Sequence, residues 1–262
     1  MPWLGFGTYK IPEGAATEDA VGTALDYGYR GIDTASLYGN EGGVGRAVRE
    51  SGVPRDEVFV ATKVWNDEQG YAETHQAFER SLKRLRMEYV DLYLIHWPVG
   101  RIVVDTWRAM EEILESGAAR AIGVCNFLEH HLEQLRRTAS VMPMVDQVEH
   151  HPRLAQPHLR EYLRREGVVI QAWAPVMRGR AGATRELAVI GERHGKTAEQ
   201  VSLRWILQHG VTAIPKSVHA ARILENASVF DFELSEDEMA AIDALDRGER
   251  LGPDPDKYGW RG

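Results

Sequence analysis

Cysteine is nearly absent from this chain. Cys125 stands alone among 262 residues, which excludes an internal disulfide and fits a reducing compartment. Long apolar runs are missing as well, since none approaches the roughly 18 residues a membrane span requires. The amino terminus, Met1 to Gly5, has no basic region followed by an apolar core, so no secretory leader is read there and a cytoplasmic location is expected. Positive charge is in deficit: 31 Lys and Arg against 39 Asp and Glu leave a net charge of −8. Nucleic acids and membrane surfaces are themselves anionic, so neither is expected as a partner, and an anionic ligand would need a local cationic pocket.

Two motifs are also missing. No G-x-G-x-x-G occurs; the glycine-rich stretch from Gly39 to Val48 has the wrong spacing and follows a loop, which disfavours a Rossmann site. The first-strand His-x-His of a metal-dependent barrel hydrolase does not occur either. The adjacent pairs His130-His131 and His150-His151 seldom chelate one ion from a regular element, so no metal is expected.

What is present is a rhythm. Strand-like runs at Leu4 to Gly7, Tyr29 to Asp33, Val58 to Lys63, Val90 to His96, Ala121 to Val124, Val145 to Val148, Val168 to Trp173 and Val211 to Pro215 alternate with helical patterns. Phe78, Leu82 and Leu85 repeat at helical spacing, as do Leu128, Leu132 and Leu135, and Trp107, Met110 and Leu114. Thr197 with Gln200 and Ser235 with Glu238 have the spacing of reciprocal helix-start caps. Each strand-plus-helix unit takes about 30 residues, and eight strands in 262 residues predict one (β/α)8 TIM barrel domain over 1–262, with 247–262 an irregular tail.

In such a barrel the carboxyl ends of the strands share one mouth, where active sites are built. Asp33, Lys63 and His96 each end a strand, and Tyr38 lies in the loop after the second. Singly, each has a plain structural reading: an ion pair, a packed ring, a locally satisfied imidazole. Four at consecutive rim positions are hard to assign to packing. The Lys63 ammonium is expected to lower the Tyr38 phenol, Asp33 to hold Lys63, and a neutral His96 to hydrogen-bond a substrate oxygen or share in the proton transfer. Together they would protonate a developing alkoxide.

The segments "LGFGTYK" at 4–10, "GIDTASLYGNE" at 31–41, "VFVATKVW" at 58–65, "DLYLIHWP" at 91–98, and "IPKSV" followed by "ENASVFDFELS" closely resemble the aldo-keto reductases, in particular the small diketogluconate-reductase-like members. The resemblance covers nearly the whole chain. It implies NADPH-dependent reduction of aldehydes or ketones to alcohols, with Tyr38 as proton donor and Asp33, Lys63 and His96 completing a tetrad. It places Lys216, Ser217, Val218 and Arg222 around the adenosine 2′-phosphate and Glu225 and Asn226 at the adenine. Asn126 and Gln147 fall at the nicotinamide carboxamide, Trp173 on its ring, and Ala174 and Val176 near the pyrophosphate. Tyr9, Trp65 and Trp97 are expected either to form an aromatic wall for the carbonyl substrate or to pack in the core, and a monomer is expected.

There are departures from the family pattern. Cys125 stands where Ser is common, which weakens one carboxamide contact. The chain begins almost at the first barrel strand, so the family's N-terminal β-hairpin is expected to be missing. The loop after "HWPVG" and the tail are short, which opens the mouth. The competing reading is a reductase-like NADPH-binding module that works through a protein partner; it would carry a broken tetrad or long added segments, and neither is seen. A reductase of conjugated double bonds would place glutamate at His96.

Overall fold

A computed structural model describes residues 1–258. The chain runs β1 (Phe6–Gly7), α1 (Ala15–Asp26), β2 (Gly31–Asp33), α2 (Glu41–Glu50), β3 (Phe59–Val64), α3 (Tyr71–Leu85), β4 (Leu92–Ile95) and α4 (Ile102–Glu115). It continues through β5 (Ile122–Cys125), α5 (Glu129–Arg136), β6 (Val145–Glu149), α6 (Pro157–Arg165), β7 (Val169–Trp173), α7 (Arg185–His194), α8 (Ala198–Gln208), β8 (Thr212–Ala213), α9 (Ala220–Ala227) and α10 (Glu236–Asp243).

All eight strands are parallel and pair in sequence order from β1 to β8. The sheet also closes on itself. Leu4 bridges Ala213 in parallel, the Gly5 amide donates to the Ala213 carbonyl at 2.8 Å, and the Ala213 amide donates to the Trp3 carbonyl at 3.0 Å. This is the expected (β/α)8 barrel, with no unpaired edge left between first and last strand.

Strand side chains alternate between the two faces, and the alternation divides the core in two. Outward residues such as Ile32, Val60, Tyr93, Val124 and Val148 join helix residues in the main apolar layer, together with Trp107, Leu132 and Trp205. Inward residues Ala61, Leu92, Leu94, Cys125 and Val145 form a separate, small plug inside the barrel. One step further along each strand the inward positions are Asp33, Lys63 and Gln147. The polar rim therefore sits directly on an apolar floor.

The helices are set by punctuation the sequence carries. Thr197 and Ser235 each accept the amide of Gln200 and Glu238 respectively, and those side chains return the bond to the cap amides, so both reciprocal caps form as expected. Gly45 in α2 faces α3 so closely that a Cβ there would lie 2.0 Å from the Leu85 carbonyl oxygen. In α4 the buried stripe is Trp107, Met110 and Ile113, whereas Leu114 is only partly covered. Residues 247–258 form no helix or strand, and the last part of the expected irregular tail, 259–262, lies outside the described residues. Residues 1–5 form no hairpin. The foot of the barrel beside Met1 and Trp3, against Val168 to Ile170 and Thr212, is an open cleft. No described helix is long and apolar enough to cross a membrane.

Candidate active site

Lys63 sits at the inward end of β3 with its side chain fully buried, a position that demands a counter-ion. Asp33, inward at the end of β2, supplies it: Lys63 Nζ donates to Asp33 Oδ1 at 2.6 Å and to the Thr34 carbonyl at 2.8 Å. The third ammonium contact is the Tyr38 hydroxyl, 3.5 Å away. Tyr38 occupies a short 3-10 turn, Ser36–Tyr38, that ends on Gly39 in the left-handed conformation at φ 65°. That turn folds the phenol back over the end of β3.

The loop is held from below by Asn40. Its amide nitrogen donates to the Thr8 and Ile11 carbonyls, both at 2.9 Å, and its oxygen accepts from Thr34 Oγ1 at 2.8 Å. The β1 and β2 loops are thus tied together, which brings the Tyr9 ring to 5.0 Å from the Tyr38 ring. His96 follows β4. Its ring meets Tyr38 edge-on at 5.7 Å and Trp65 at 5.0 Å. The four rim groups expected from the sequence are therefore brought together.

The electrostatics correct one expectation. Burial draws the Lys63 ammonium down, but the Asp33 carboxylate and the Tyr38 oxygen more than offset it, and Lys63 is held above the ordinary lysine value. The Tyr38 phenol is not made more acidic overall. Burial raises it, Asp33 adds to the rise, and the lowering pull of Lys63 is the smaller effect. The reason is geometric: the phenol has lost its water, which outweighs the pull of the ammonium, and Asp33 offsets part of that pull. Burial, helped by Lys63, pushes His96 well below the imidazole range, so its ring is neutral as expected. Among the described residues His96 Nδ1 is sealed in without a hydrogen-bond partner, which leaves Nε2 as the nitrogen open to the mouth.

Beside this group lie the amides of β5 and β6. Gln147 Nε2 donates to Asp33 Oδ2 and to Gln171 Oε1, both at 2.7 Å. Asn126, at φ 62° just after β5, donates to the His96 carbonyl at 3.0 Å and accepts the Trp173 indole N–H at 2.8 Å. An indole can only donate, so the Asn126 orientation is fixed. Cys125 is buried beneath, and burial pushes its thiol well up, which removes it as a nucleophile.

After β7 the backbone is strained. Ala174, Met177 and Arg178 have φ of 52°, 53° and 55°, unusual for residues with a Cβ. Val176 of this loop is half-buried. After β8, Ser217 Oγ accepts the His219 amide at 3.0 Å and so shapes the turn into α9. Lys216, Val218 and Arg222 are exposed there, and among the described residues neither cation has a carboxylate within ion-pair distance. Desolvation and then the Lys10 ammonium draw Lys216 below the ordinary lysine value, so Lys10 lies within electrostatic reach of it. Glu225 accepts Thr197 Oγ1 at 2.9 Å, and Asn226 is buried beside it.

These positions fit a dinucleotide. Gln147 Oε1 is engaged by no described residue, the amides sit above an apolar floor, and unpaired cations gather at the start of α9 in a chain of net charge −8. The rings expected to wall the substrate, Tyr9, Trp65 and Trp97, are joined by a residue the sequence gave no reason to choose, Tyr258 of the tail. Its ring lies 4.5 Å from Trp97 and 6.5 Å from Trp65. The tail reaches this place through Glu149, whose carboxylate accepts the Leu251 amide at 2.7 Å and the Gly252 amide at 3.2 Å.

One histidine pair does meet a carboxylate: the side chains of His130, His131 and Asp256 bring ligand atoms within 4.8 Å of one another. The His131 ring, held to about 4 chiefly by burial, is neutral, and its Nδ1 accepts the Leu128 amide at 3.1 Å. Its proton therefore sits on Nε2, the atom facing Asp256, where an ion would need a lone pair. The other pair is buried: His150 stacks on Trp205 and His151 lies 3.2 Å from Glu149.

The chain is similar in sequence and fold to known proteins. A glyoxal reductase of Bacillus subtilis is 52% identical over 257 residues, covering 98% of this chain and 93% of that protein. A methylglyoxal reductase of Salmonella typhimurium is 42% identical over 266 residues, covering 99% and 94%. An aldo-keto reductase from a deep-sea metagenome library superposes with a TM-score of 0.96 at 42% identity, covering 98% and 96%. A mutant of Gox0644 in complex with NADPH superposes at 0.91 with 41% identity, covering 98% and 94%. The pattern of the Aldo/keto reductase family matches residues 3–247, from before β1 to beyond α10, and the chain belongs to that family.

Proposed function

We propose that this protein reduces small aldehydes and ketones to alcohols with NADPH, and that Tyr38 delivers the proton. The observation that carries the reading is the buried Lys63 ammonium placed between Asp33 Oδ1 and the Tyr38 hydroxyl at the barrel mouth. When bound, NADPH supplies the hydride. The remaining work falls to side chains of the chain itself.

A phenol pushed up by burial stays protonated throughout the physiological range, so the donor is always loaded. The alkoxide that develops as a carbonyl is reduced is more basic still, and it takes this proton. The phenolate left behind lies against Lys63, whose charge Asp33 maintains. Neutral His96 presents Nε2 to the same carbonyl oxygen and orients it. Tyr9, Trp65, Trp97 and Tyr258 exclude water from the reacting carbon.

Asn126, Gln147 and Trp173 are assigned to the nicotinamide end, Ala174 and Val176 to the pyrophosphate, Lys216, Ser217, Val218 and Arg222 to the 2′-phosphate, and Glu225 and Asn226 to the adenine. The unpaired cations near α9 support NADPH over NADH. Two of the relatives described are named for glyoxal and methylglyoxal, and a mouth walled by four aromatic rings suits such compact dicarbonyls.

The test is a panel of glyoxal, methylglyoxal, simple aldehydes, α-keto esters and diketo sugars, followed by loss of reduced nicotinamide absorbance. Consumption is expected with the dicarbonyls first. Tight NADPH binding without consumption across the panel would instead favour a binding module.

A further inference from the structure

Gln171 has no role in the assignment above, yet it stands among the groups that do. It lies on β7 two residues before Trp173, so strand alternation turns it into the barrel, where it is buried. In the β6–β7 register it is directly opposite Gln147. Its Oε1 accepts from Gln147 Nε2 at 2.7 Å, and the same nitrogen donates to Asp33 Oδ2 at 2.7 Å.

A primary amide nitrogen carries two hydrogens, and here both are taken. The Asp33 carboxylate can only accept, so it directs the Gln147 nitrogen inward. With that single contact the amide plane could still pivot about its N–H···O axis. The second acceptor, Gln171, removes the pivot. Gln171 cannot turn freely either: its oxygen is held by the Gln147 donor, and its own nitrogen meets only the weak acceptor Met1 Sδ, at 3.8 Å.

We propose that Gln171 is a positioning residue: by taking the second amide proton of Gln147, it presents Gln147 Oε1 as a fixed acceptor for the carboxamide N–H groups of nicotinamide. The proposal rests on the NADPH reading and adds to it a residue that touches neither cofactor nor substrate. The chain Gln171–Gln147–Asp33–Lys63 also links β7 to the proton donor across the barrel interior.

Two substitutions remove the acceptor with different shapes, Gln171→Leu and Gln171→Met. Each is expected to weaken NADPH binding and lower kcat/KM roughly tenfold, the worth of one well-placed hydrogen bond. Affinity for 2′,5′-ADP, which lacks nicotinamide, should stay within about twofold of wild type and also reports that the barrel is folded. In a Gln147→Ala background, replacing Gln171 should change NADPH affinity little, because the group it positions is gone. Full NADPH affinity in both variants, an equal loss for 2′,5′-ADP, an undiminished effect in the Gln147→Ala background, or failure of both variants to fold would each overturn the proposal. Wild-type protein that binds NADPH but reduces nothing would sink the proposed activity, while the binding arms would still decide the role of Gln171.

Discussion

Lys63 is the residue on which the site turns, because an ammonium with no solvent exposure must be paired, and its pairing orders everything near it. Removing Asp33 would leave that charge uncompensated, a change that in proteins generally costs about 3–5 kcal/mol. Tyr38 shows how far a neighbour's charge can be outweighed by desolvation. The ammonium pulls the phenol down, but burial and Asp33 push it up further, so the proton is retained. A tyrosinate difference spectrum between the wild type and Tyr38→Phe, taken without cofactor, should therefore show no ionisation of Tyr38 at pH 10, the ordinary phenol value. A titration centred below that value would contradict the geometry.

Among the elements, β6 carries a buried acid, Asp146, that the chemistry does not use. Asp146 faces outward from the barrel, fully buried, and among the described residues only the Phe127 backbone, too far for a full hydrogen bond, is directed at its carboxyl. Burial pushes its carboxyl well above the ordinary carboxylate value. A group raised in the fold contributes its full stability below its unfolded value, near 3.9, and loses it as pH rises through the folded value. Asp146→Asn should thus stabilise the protein by about 1 kcal/mol at pH 8 and by less at pH 5, read from denaturant midpoints at the two values. An equal effect at both would show that the carboxyl is not the source.

The elements also show what the sequence could and could not tell. Strand ends were legible because a buried run that closes on Asp33, Lys63 or His96 states its own register, and the caps at Thr197 and Ser235 state where helices begin. The cationic spot near α9 was legible in Lys216 and Arg222. Lys10 was not, since only closure of β1 against β8 brings it there. Gln171 was hidden in an apolar run, and Glu149 and Tyr258 meet their partners across about a hundred residues or more of chain that no local pattern connects. The sign of the Tyr38 shift was missed for a related reason: charge can be read from residue type, while burial belongs to the folded whole.

Taken as a whole, an acidic protein leaves Lys216 and Arg222 at one end of the barrel mouth with no carboxylate partner among the described residues. Coulomb attraction between Arg222 and a phosphate falls with distance and salt, so its removal acts locally. Arg222→Ala should weaken NADPH by roughly tenfold to a hundredfold and NADH by less than about threefold, measured by nicotinamide fluorescence titration at fixed ionic strength. Equal losses would remove the 2′-phosphate from that position. The same coupling predicts thermal stabilisation by NADPH well beyond that by NADH at equal concentration, because ligand that binds only the fold shifts its stability through the ratio of concentration to Kd.

The central claim is that a single hydroxyl beside a buried ammonium finishes the reduction. Tyr38→Phe removes that hydroxyl and little else, so turnover of the best carbonyl substrate and the Kd for NADPH should be measured on the same preparation. A loss in kcat of at least about a thousandfold is expected, with NADPH affinity within roughly threefold of wild type. Turnover within tenfold of wild type would contradict it.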